Sequence, residues 1–218
     1  IEIADPDTWD TTVFTQQTPQ PLSDEEILEK LEQPIGQVPL RKLCRGKSAP
    51  LIIVDDLNRP TPASRVLPVM LKIFRDENIS PSDITILMAT GTHGTPQTDA
   101  MIKKVGAEGA SKCNVLIHDC FHNVSKIGKT SFGTPIFVNK AVLKSDLVIG
   151  IGGIYPNHTA GFGGGSKIVL GILGMRSIFH LHYSHQSAEW GTSGSSGTFR
   201  KDLDEIADLV KLQMSISL

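Results

Sequence analysis

From residue 50 onward, short apolar runs rich in valine and isoleucine alternate with segments of helical periodicity, and this alternation constrains the fold most. It is typical of βα units, which build parallel sheets. We therefore predict an α/β fold, a Rossmann-like open and mostly parallel sheet with helices on both faces. The predicted strands cover 51–54, 84–88, 115–117 and 147–151, with a further short strand around 135–138.

The first 49 residues lack this alternation. Residues 1–22 are polar and aperiodic, whereas Ser23 and Glu26 form a capping box that starts a helix, which Pro34 then ends. We expect residues 1–49 to form a lead-in and helix packed on the main domain, which is predicted to cover 50–218.

Several further boundaries follow from local signals in the sequence. Thr61 is predicted to cap a helix with Pro62 in its first turn, and Thr95 with Pro96 repeats this device. The segment 191–198 is rich in glycine and serine and predicts a flexible loop. A final amphipathic helix is predicted over 202–212, and apolar alternation then continues to the last residue, as in a strand that enters further structure. We therefore expect a second, C-terminal domain beyond this chain.

The overall charge and composition narrow the possible partners. A net charge of -2 with 20% charged residues and no long run of one sign does not favour binding to nucleic acid or to a membrane surface. No apolar run approaches the roughly 20 residues of a membrane span, and the first residues do not resemble a signal peptide, so the expected compartment is the cytoplasm. The three cysteines lack CxxC spacing and are expected to be reduced structural thiols.

Three loops of unusual composition follow predicted strands. They cover 55–62 (DDLNRPTP), 89–94 (ATGTHG) and 152–167, which ends in YPNHTAGFGGGSK. Because ligands of open α/β sheets bind outside the carboxyl ends of the strands, we expect these loops to meet at one crevice.

The glycine-rich loop carries the lysine that attracts most interest. Glycines before a helix let backbone N–H groups approach an anion, which predicts a phosphate cradle. A nucleoside triphosphatase P-loop is excluded because Ser166 precedes Lys167 and Ile168 follows it. At a helix start, where the local potential is positive, Lys167 is a plausible nucleophile or cofactor anchor, and the alternative is a solvated lysine.

Three histidines, His180, His182 and His185, lie within six residues and are candidate metal ligands. If the segment is helical, His182 and His185 share a face while His180 points away. The segment is similar to the H-x-H-x-D-H signature of zinc hydrolases, except that Ser184 replaces the aspartate. A zinc hydrolase remains one alternative, and surface histidines are another.

Other candidates lie in the first two loops. His93 sits in a small polar loop, where a general base is the better interpretation than a histidine bonded to its own loop. Pro60 holds Arg59 extended and suited to a carboxylate or phosphate, the alternative being a surface pair with Asp56. His118 and His122, near another strand end, are expected to be structural.

Four motifs in this order, DLNRPTP, ATGTHG, YPNHTAGFGGGSK and HLHYSH, resemble the N-terminal domain of the nickel-dependent lactate racemase family over about residues 50 to 212. The resemblance implies an isomerase, a racemase or epimerase of a small 2-hydroxy acid. It also implies the nickel pincer nucleotide, Ni(II)-pyridinium-3,5-bisthiocarboxylic acid mononucleotide, as cofactor, and the enzymes of its synthesis as partners. The residues assigned by the resemblance are Lys167 as covalent anchor, His182 as nickel ligand, Asp56, Leu57, Asn58 and Arg59 as cofactor contacts, and His93 as one of two proton-exchanging histidines.

The chain departs from the family pattern at two places. The second histidine of the family falls on Asn157, with His158 one position later, and the segment after Lys167 is one residue short, with Leu170 and Gly171 where a proline-glycine pair is usual. We predict His158 as the second base, with Asn157 as the alternative. Besides the zinc hydrolase, a non-catalytic nucleotide- or anion-binding domain remains the other alternative.

Overall fold

The computed structural model describes residues 20–94, 97–188, 191 and 197–218. Within these ranges the strands are β1 (Pro50–Asp55), β2 (Thr85–Ala89), β3 (Asn114–Ile117), β4 (Val124–Lys129), β5 (Pro135–Asn139), β6 (Leu147–Gly152), β7 (Pro156–Asn157), β8 (Gly161–Phe162) and β9 (Leu212–Ser217). The α-helices are α1 (Asp24–Glu32), α2 (Leu40–Cys44), α3 (Ala63–Asp76), α4 (Thr98–Lys112), α5 (Lys140–Leu143), α6 (Met175–Ser184) and α7 (Thr198–Leu209). Two 3-10 helices cover Pro81–Asp83 and Gly165–Ile172.

The central sheet has five strands in the spatial order β3-β2-β1-β6-β9, and every pairing between them is parallel. On one side of β1 lie β2 and then β3, and on its other side lie β6 and then β9. The chain therefore adds strands first in one direction and then in the other, and the reversal lies between β1 and β6. At such a switch point the loops diverge to opposite faces of the sheet and leave a crevice at the carboxyl ends of the strands.

Helices cover both faces of the sheet, as predicted. Residues of β1 alternate between the faces: Ile52 and Val54 belong to a core with α1, α2, α3 and α4. Leu51 and Ile53 belong to a second core with the 3-10 helix Gly165–Ile172, α6 and α7. All six residues of β1 and of β6 are buried, which explains their nearly continuous apolar sequence.

The predicted strands are confirmed, and the capping box of Ser23 and Glu26 is present at the start of α1. The predicted strand near residue 135 lies outside the main sheet, however. It is β5, which pairs with β4 in an antiparallel hairpin. The amino acid sequence of β4, VSKIGK, has little apolar alternation, so the pairing was not predicted.

Three predicted boundaries are corrected or fall outside the described residues. Thr61 does not cap α3, which begins at Ala63, because its hydroxyl donates to Asp55 Oδ2 at 2.5 Å instead. The last helix ends at Leu209 rather than 212, since Lys211 turns the chain with a φ of 57°. Residues 1–19, Thr95, Pro96 and most of the predicted loop 191–198 lie outside the described residues, while Thr198 belongs to α7. Within the described ranges, every helix is too short or too polar to cross a lipid bilayer.

Candidate active site

A cleft of about 210 Å³ lies at the carboxyl ends of β1, β2 and β6, where all three predicted loops meet. Helix α6 closes a further side. Six of the predicted site residues line it: Asp56, Arg59, His93, His158, Lys167 and His182. Two predicted cofactor contacts do not line the cleft. Leu57 packs against the first core, and Asn58 is exposed beside Asp56.

The floor of the cleft is held by Asp55, the last residue of β1. Its Oδ2 accepts hydrogen bonds from the Thr61 hydroxyl at 2.5 Å and from the Gly153 N–H at 3.2 Å, so it joins the loops after β1 and β6. Lys104 of α4 is buried and forms an ion pair with Asp55 Oδ1 at 2.5 Å. Lys104 Nζ also donates to the carbonyl of Arg59 at 3.1 Å. Lys104 was not predicted, although a carboxylate buried at a strand end requires a cationic or donating partner.

His93 and Asp56 form a base and orienting pair. His93 Nδ1 bonds to Asp56 Oδ2, and Asn58 Nδ2 donates to the same oxygen at 3.2 Å. Because a carboxylate only accepts, Nδ1 carries the proton and Nε2 keeps its lone pair. His93 is about half exposed at the cleft, so Nε2 can accept a proton from a bound molecule.

Arg59 faces the cleft rather than pairing with Asp56. Its guanidinium lies 4.9 Å from the centroid of the Tyr155 ring, a cation–π contact that fixes the planar head. Within the described part of the chain, the hydrogen bond between Arg59 and Asp56 runs from backbone N–H to carbonyl at 3.1 Å and closes a tight turn. The stacked guanidinium keeps donors in its plane for a carboxylate or phosphate.

Lys167 has an unusually acidic ammonium group. Its pKa is lowered to about 8, first by burial and then by the positive charges of Arg59 and Arg200, while Asp56 opposes the shift. Burial is therefore the main cause, whereas the sequence analysis had attributed the neutral form to the positive potential at a helix start. The neutral, nucleophilic form of the amine reaches half of the population near pH 8.

The glycine loop before Lys167 is held from behind by α7. Gly164 and Gly165 have φ values of 78° and 55°, which favour glycine, and the helix that starts there, as predicted, is of the 3-10 type. Arg200 donates to the carbonyls of Phe162 and Gly164 at 3.1 and 3.4 Å. Arg200 itself does not line the cleft, so these bonds hold the loop from outside it.

His182 is the member of the histidine cluster that lines the cleft. Its Nδ1 donates to the carbonyl of Ile178 at 2.8 Å, so Nε2 keeps the lone pair that a metal requires. The ring packs edge-on against Phe199 at a centroid distance of 5.3 Å. The sequence-based assignment of His182 as a ligand candidate is compatible with this geometry.

His180 and His185 are used elsewhere. His180 contacts Thr134 and His185 contacts Asp202. Thr134 and Asp202 are in turn hydrogen-bonded to each other. The prediction that His182 and His185 share a face is wrong, because α6 ends at Ser184 and His185 is extended with φ -119° and ψ 148°. In the described ranges, no three histidine, cysteine or acidic side chains are grouped to hold a metal ion by themselves.

The Asn157 and His158 pair has two different environments. Asn157 is buried in β7, and its Oδ1 accepts from the Thr159 N–H, the Thr159 hydroxyl and the Ala160 N–H at 3.1, 2.7 and 3.0 Å. His158 is exposed, and both residues line the cleft. The oxygen of Asn157 is thus committed to shaping the loop.

His118 lies outside the cleft lining and connects three elements. Its Nε2 donates to the carbonyl of Leu173 at 2.8 Å, and Asn139 Nδ2 donates to its Nδ1 at 3.1 Å. His122 is exposed and pairs with Asp119 at 2.9 Å. Neither histidine is among the residues that line the cleft.

Comparison with known proteins gives consistent results. The profile of the family described as the lactate racemase N-terminal domain matches residues 1–192. Lactate racemase from Thermoanaerobacterium thermosaccharolyticum is 35% identical over 167 residues, which covers 75% of this chain and 39% of that protein. Lactate racemase from Lactiplantibacillus plantarum is 35% identical over 166 residues, covering 74% and 39%. The chain therefore spans about two fifths of the length of these curated relatives.

Two solved structures are similar in fold. The lactate racemase apoprotein from Thermoanaerobacterium thermosaccharolyticum superposes with a TM-score of 0.78 and 31% identity, covering 87% of this chain and 47% of that one. A crystal structure of a protein from Thermotoga maritima gives a TM-score of 0.64 at 22% identity, covering 89% and 49%. At that identity the second likeness concerns the fold alone.

Proposed function

Because the chain belongs to the lactate racemase N-terminal domain family, we propose that it is the cofactor-binding part of a racemase or epimerase of a small 2-hydroxy acid. One observation carries the proposal. A single cleft at the switch point of the sheet gathers the oriented base His93, the guanidinium of Arg59, the low-pKa amine of Lys167 and the open Nε2 of His182.

The donor set fits the nickel pincer nucleotide. The lowered pKa of Lys167 increases the neutral share of its amine, which a covalent anchor needs, and His182 offers one ring nitrogen as a ligand while its other ring nitrogen is held by a backbone carbonyl. The glycine loop can approach a phosphate closely because it carries no side chains at Gly164 and Gly165. When bound, the cofactor supplies an acceptor for the hydride on the 2-carbon of the substrate.

The residues of the chain supply binding and proton transfer. Arg59 is placed to hold the substrate carboxylate, since its planar donors match two carboxylate oxygens. His93 takes the proton of the substrate hydroxyl at Nε2, and Asp56 stabilises the imidazolium that forms. A racemase also requires a second group that exchanges the hydroxyl proton when the substrate is processed from its other face, and we assign this role to His158. We prefer His158 to Asn157 because the amide oxygen of Asn157 is occupied and an amide does not titrate near neutrality.

We further propose that the protein works in the cytoplasm with the cofactor-synthesis enzymes as partners, and that a C-terminal domain completes the substrate site. The described cysteines are unpaired, which agrees with a reducing compartment. The zinc hydrolase is less well supported, because His180 and His185 bind Thr134 and Asp202 instead of converging with His182.

The test is an assay of full-length protein produced together with the cofactor-synthesis enzymes, started separately from each enantiomer of several 2-hydroxy acids. Asp56→Asn keeps the size of the side chain but removes the charge that orients His93, so we expect a loss of about 10²- to 10⁴-fold in kcat in both directions. His158→Ala is expected to lose a similar factor. Asn157→Ala should act mainly on stability, by about 1–3 kcal/mol, because three buried donors lose their acceptor. Near-full rates for His158→Ala in both directions would remove it from the mechanism.

A further inference from the structure

Behind the cleft, a buried polar network remains unassigned by the proposed function. Asp202 of α7 and Thr134, immediately before β5, are both fully buried. The Thr134 hydroxyl donates to Asp202 Oδ2, and His185 Nε2 contacts the same oxygen at 2.7 Å. His180 Nδ1 lies 2.9 Å from Thr134 Oγ1.

The direction of these hydrogen bonds fixes the tautomer of both histidines. Thr134 has one proton, which goes to the carboxylate, so His180 Nδ1 must donate to the hydroxyl oxygen. His185 must carry its proton on Nε2 for the same reason, since Asp202 Oδ2 accepts. The hydrogen bonds from His180 through Thr134, and the one from His185 directly, therefore both end at Asp202 Oδ2.

A carboxylate at this position is costly for stability. Asp202 is fully buried, and its second oxygen, Oδ1, has no hydrogen-bond partner among the described residues. An apolar residue of similar size would avoid this desolvation, so a benefit other than stability is required to explain the aspartate.

The benefit follows from what the network holds. His180 lies two residues before His182, and His185 three residues after it, so Asp202 anchors the helix on both sides of the ring that lines the cleft. Phe199, three residues before Asp202 on α7, packs against the His182 ring itself. The beginning of α6 is tied separately, by the Ser177 hydroxyl donating to the Pro135 carbonyl at 2.6 Å.

We propose that Asp202 is a positioning residue for His182. Through His185 and through Thr134 and His180, it fixes the last turns of α6 against α7, and this keeps the His182 ring edge-on to Phe199 and in the lining of the cleft. The role of His182 as a ligand rests on the proposed function, whereas the placement of its ring by Asp202 does not.

The experiment reads the tautomers directly, by long-range 1H–15N NMR of the imidazole rings in full-length, cofactor-free protein. In the wild type we expect protons on Nδ1 of His180, Nε2 of His185 and Nδ1 of His182. Asp202→Leu, which removes the acceptor of both bonds, and Thr134→Val should shift the His182 ring signals because the ring is no longer held against Phe199. Thr134→Ser, which keeps the hydroxyl, should give the wild-type spectrum. Asp208→Asn, an exposed position on the same helix, is the matched control and should leave all three signals unchanged.

Two results would overturn the proposal. One is a wild-type spectrum with the opposite tautomer at His180 or His185, which needs no variant to fold. The other is a His182 ring signal that stays at its wild-type position in Thr134→Val and Asp202→Leu while thermal stability falls, which would make the network merely structural. The NMR experiment uses cofactor-free protein, so it tests the placement of His182 independently of catalysis. Absence of racemase activity in protein loaded with the cofactor would count against the proposed function and not against this placement. In active holoenzyme, we expect the two variants to lose about 10- to 100-fold in kcat, with KM changed less.

Discussion

At the scale of single residues, the environment of Lys167 decides how reactive its amine is. Burial is the largest cause of its lowered pKa, and the charges of Arg59 and Arg200 act in the same direction. The same guanidinium groups serve other purposes, since Arg59 stacks on Tyr155 and Arg200 holds the glycine loop. Arg59 and Arg200 therefore add to the effect of burial on the pKa of Lys167.

The first prediction concerns the titration of this amine. Competitive acylation of the native protein, followed by mass spectrometry of the peptides, should show Lys167 labelled half-maximally near pH 8, because only the neutral amine reacts. Lys201 is exposed on α7 and is the internal control for labelling of a lysine in contact with solvent. If the labelling of Lys167 has the same pH dependence as that of Lys201, the buried and positively charged environment described above is wrong.

At the scale of elements, the 3-10 helix Gly165–Ile172 packs against the end of β2 and supports the loop that carries His93. The Gly91 N–H donates to the Gly171 carbonyl at 2.9 Å. A Cβ atom added at Gly171 would lie 2.5 Å from the carbonyl oxygen of Ala89 and 2.6 Å from its Cβ. This close approach requires glycine, which gives a physical reason for the Leu170 and Gly171 pair noted in the sequence.

The second prediction follows from that contact. Gly171→Ala should destabilise the protein by about 1–3 kcal/mol, because backbone atoms must move apart, and it should also lower racemisation by displacing His93. Gly94→Ala, in the same loop but with nothing within 4 Å of the added Cβ, is the control and should be close to wild type. Unfolding free energies from denaturant titrations and initial rates would check both effects. Equal stability of the two variants would contradict the packing.

His118 joins the end of β3 to Asn139 at the end of β5 and to Leu173, the residue that follows the 3-10 helix Gly165–Ile172. Burial lowers its pKa below the ordinary 6.5, although the bond to the Leu173 carbonyl and the nearby Asp119 oppose the shift. A histidine with a lowered native pKa binds fewer protons when folded than when unfolded. Its contribution to stability is therefore complete above about pH 6.5 and is lost as the pH falls below that value.

The third prediction concerns the decrease of the unfolding free energy at acidic pH. The unfolding free energy of the wild type should decrease between about pH 6.5 and pH 5, and His118→Gln should remove part of that decrease, because the glutamine amide does not titrate in this range. His122→Gln changes an exposed histidine near the same strand end and is the comparison variant. An unchanged slope in His118→Gln would show that His118 is not the responsible group.

Sequence patterns predicted those elements whose burial leaves a continuous apolar run. The four strands 51–54, 84–88, 115–117 and 147–151 are of this kind, because both faces of the sheet are covered. The convergence of Asp56, His93 and Lys167 also followed, since all three come after strands of one parallel sheet. Such predictions need only local pattern and the geometry of parallel strands.

Contacts between elements distant in the chain could not be predicted in this way. The pairing of β4 with β5 depends on a strand with little apolar alternation. Lys104, Arg200 and Asp202 act on the site from helices α4 and α7, whose sequences resemble ordinary amphipathic helices. The prediction that His182 and His185 share a face assumed a helix that includes His185, but α6 ends at Ser184 and His185 is extended.

At the scale of the whole molecule, the order of the strands places every candidate group at one edge of the sheet. The reversal between β1 and β6 opens the crevice, and α7 links its two sides, since Arg200 holds the glycine loop and Asp202 holds α6. The chain matches about two fifths of its curated relatives, so we propose that the substrate site is completed by residues outside it.

The mass of denatured full-length protein, with peptide mapping around Lys167, tests the central claim most directly. We expect a covalent mass increment on the Lys167 peptide when the protein is produced with the cofactor-synthesis enzymes, and none when they are absent. Lys167→Met should lack both the increment and racemase activity, while Lys201→Met should retain both. Racemisation by a protein whose Lys167 peptide is unmodified would contradict the claim that this cleft anchors the cofactor through Lys167.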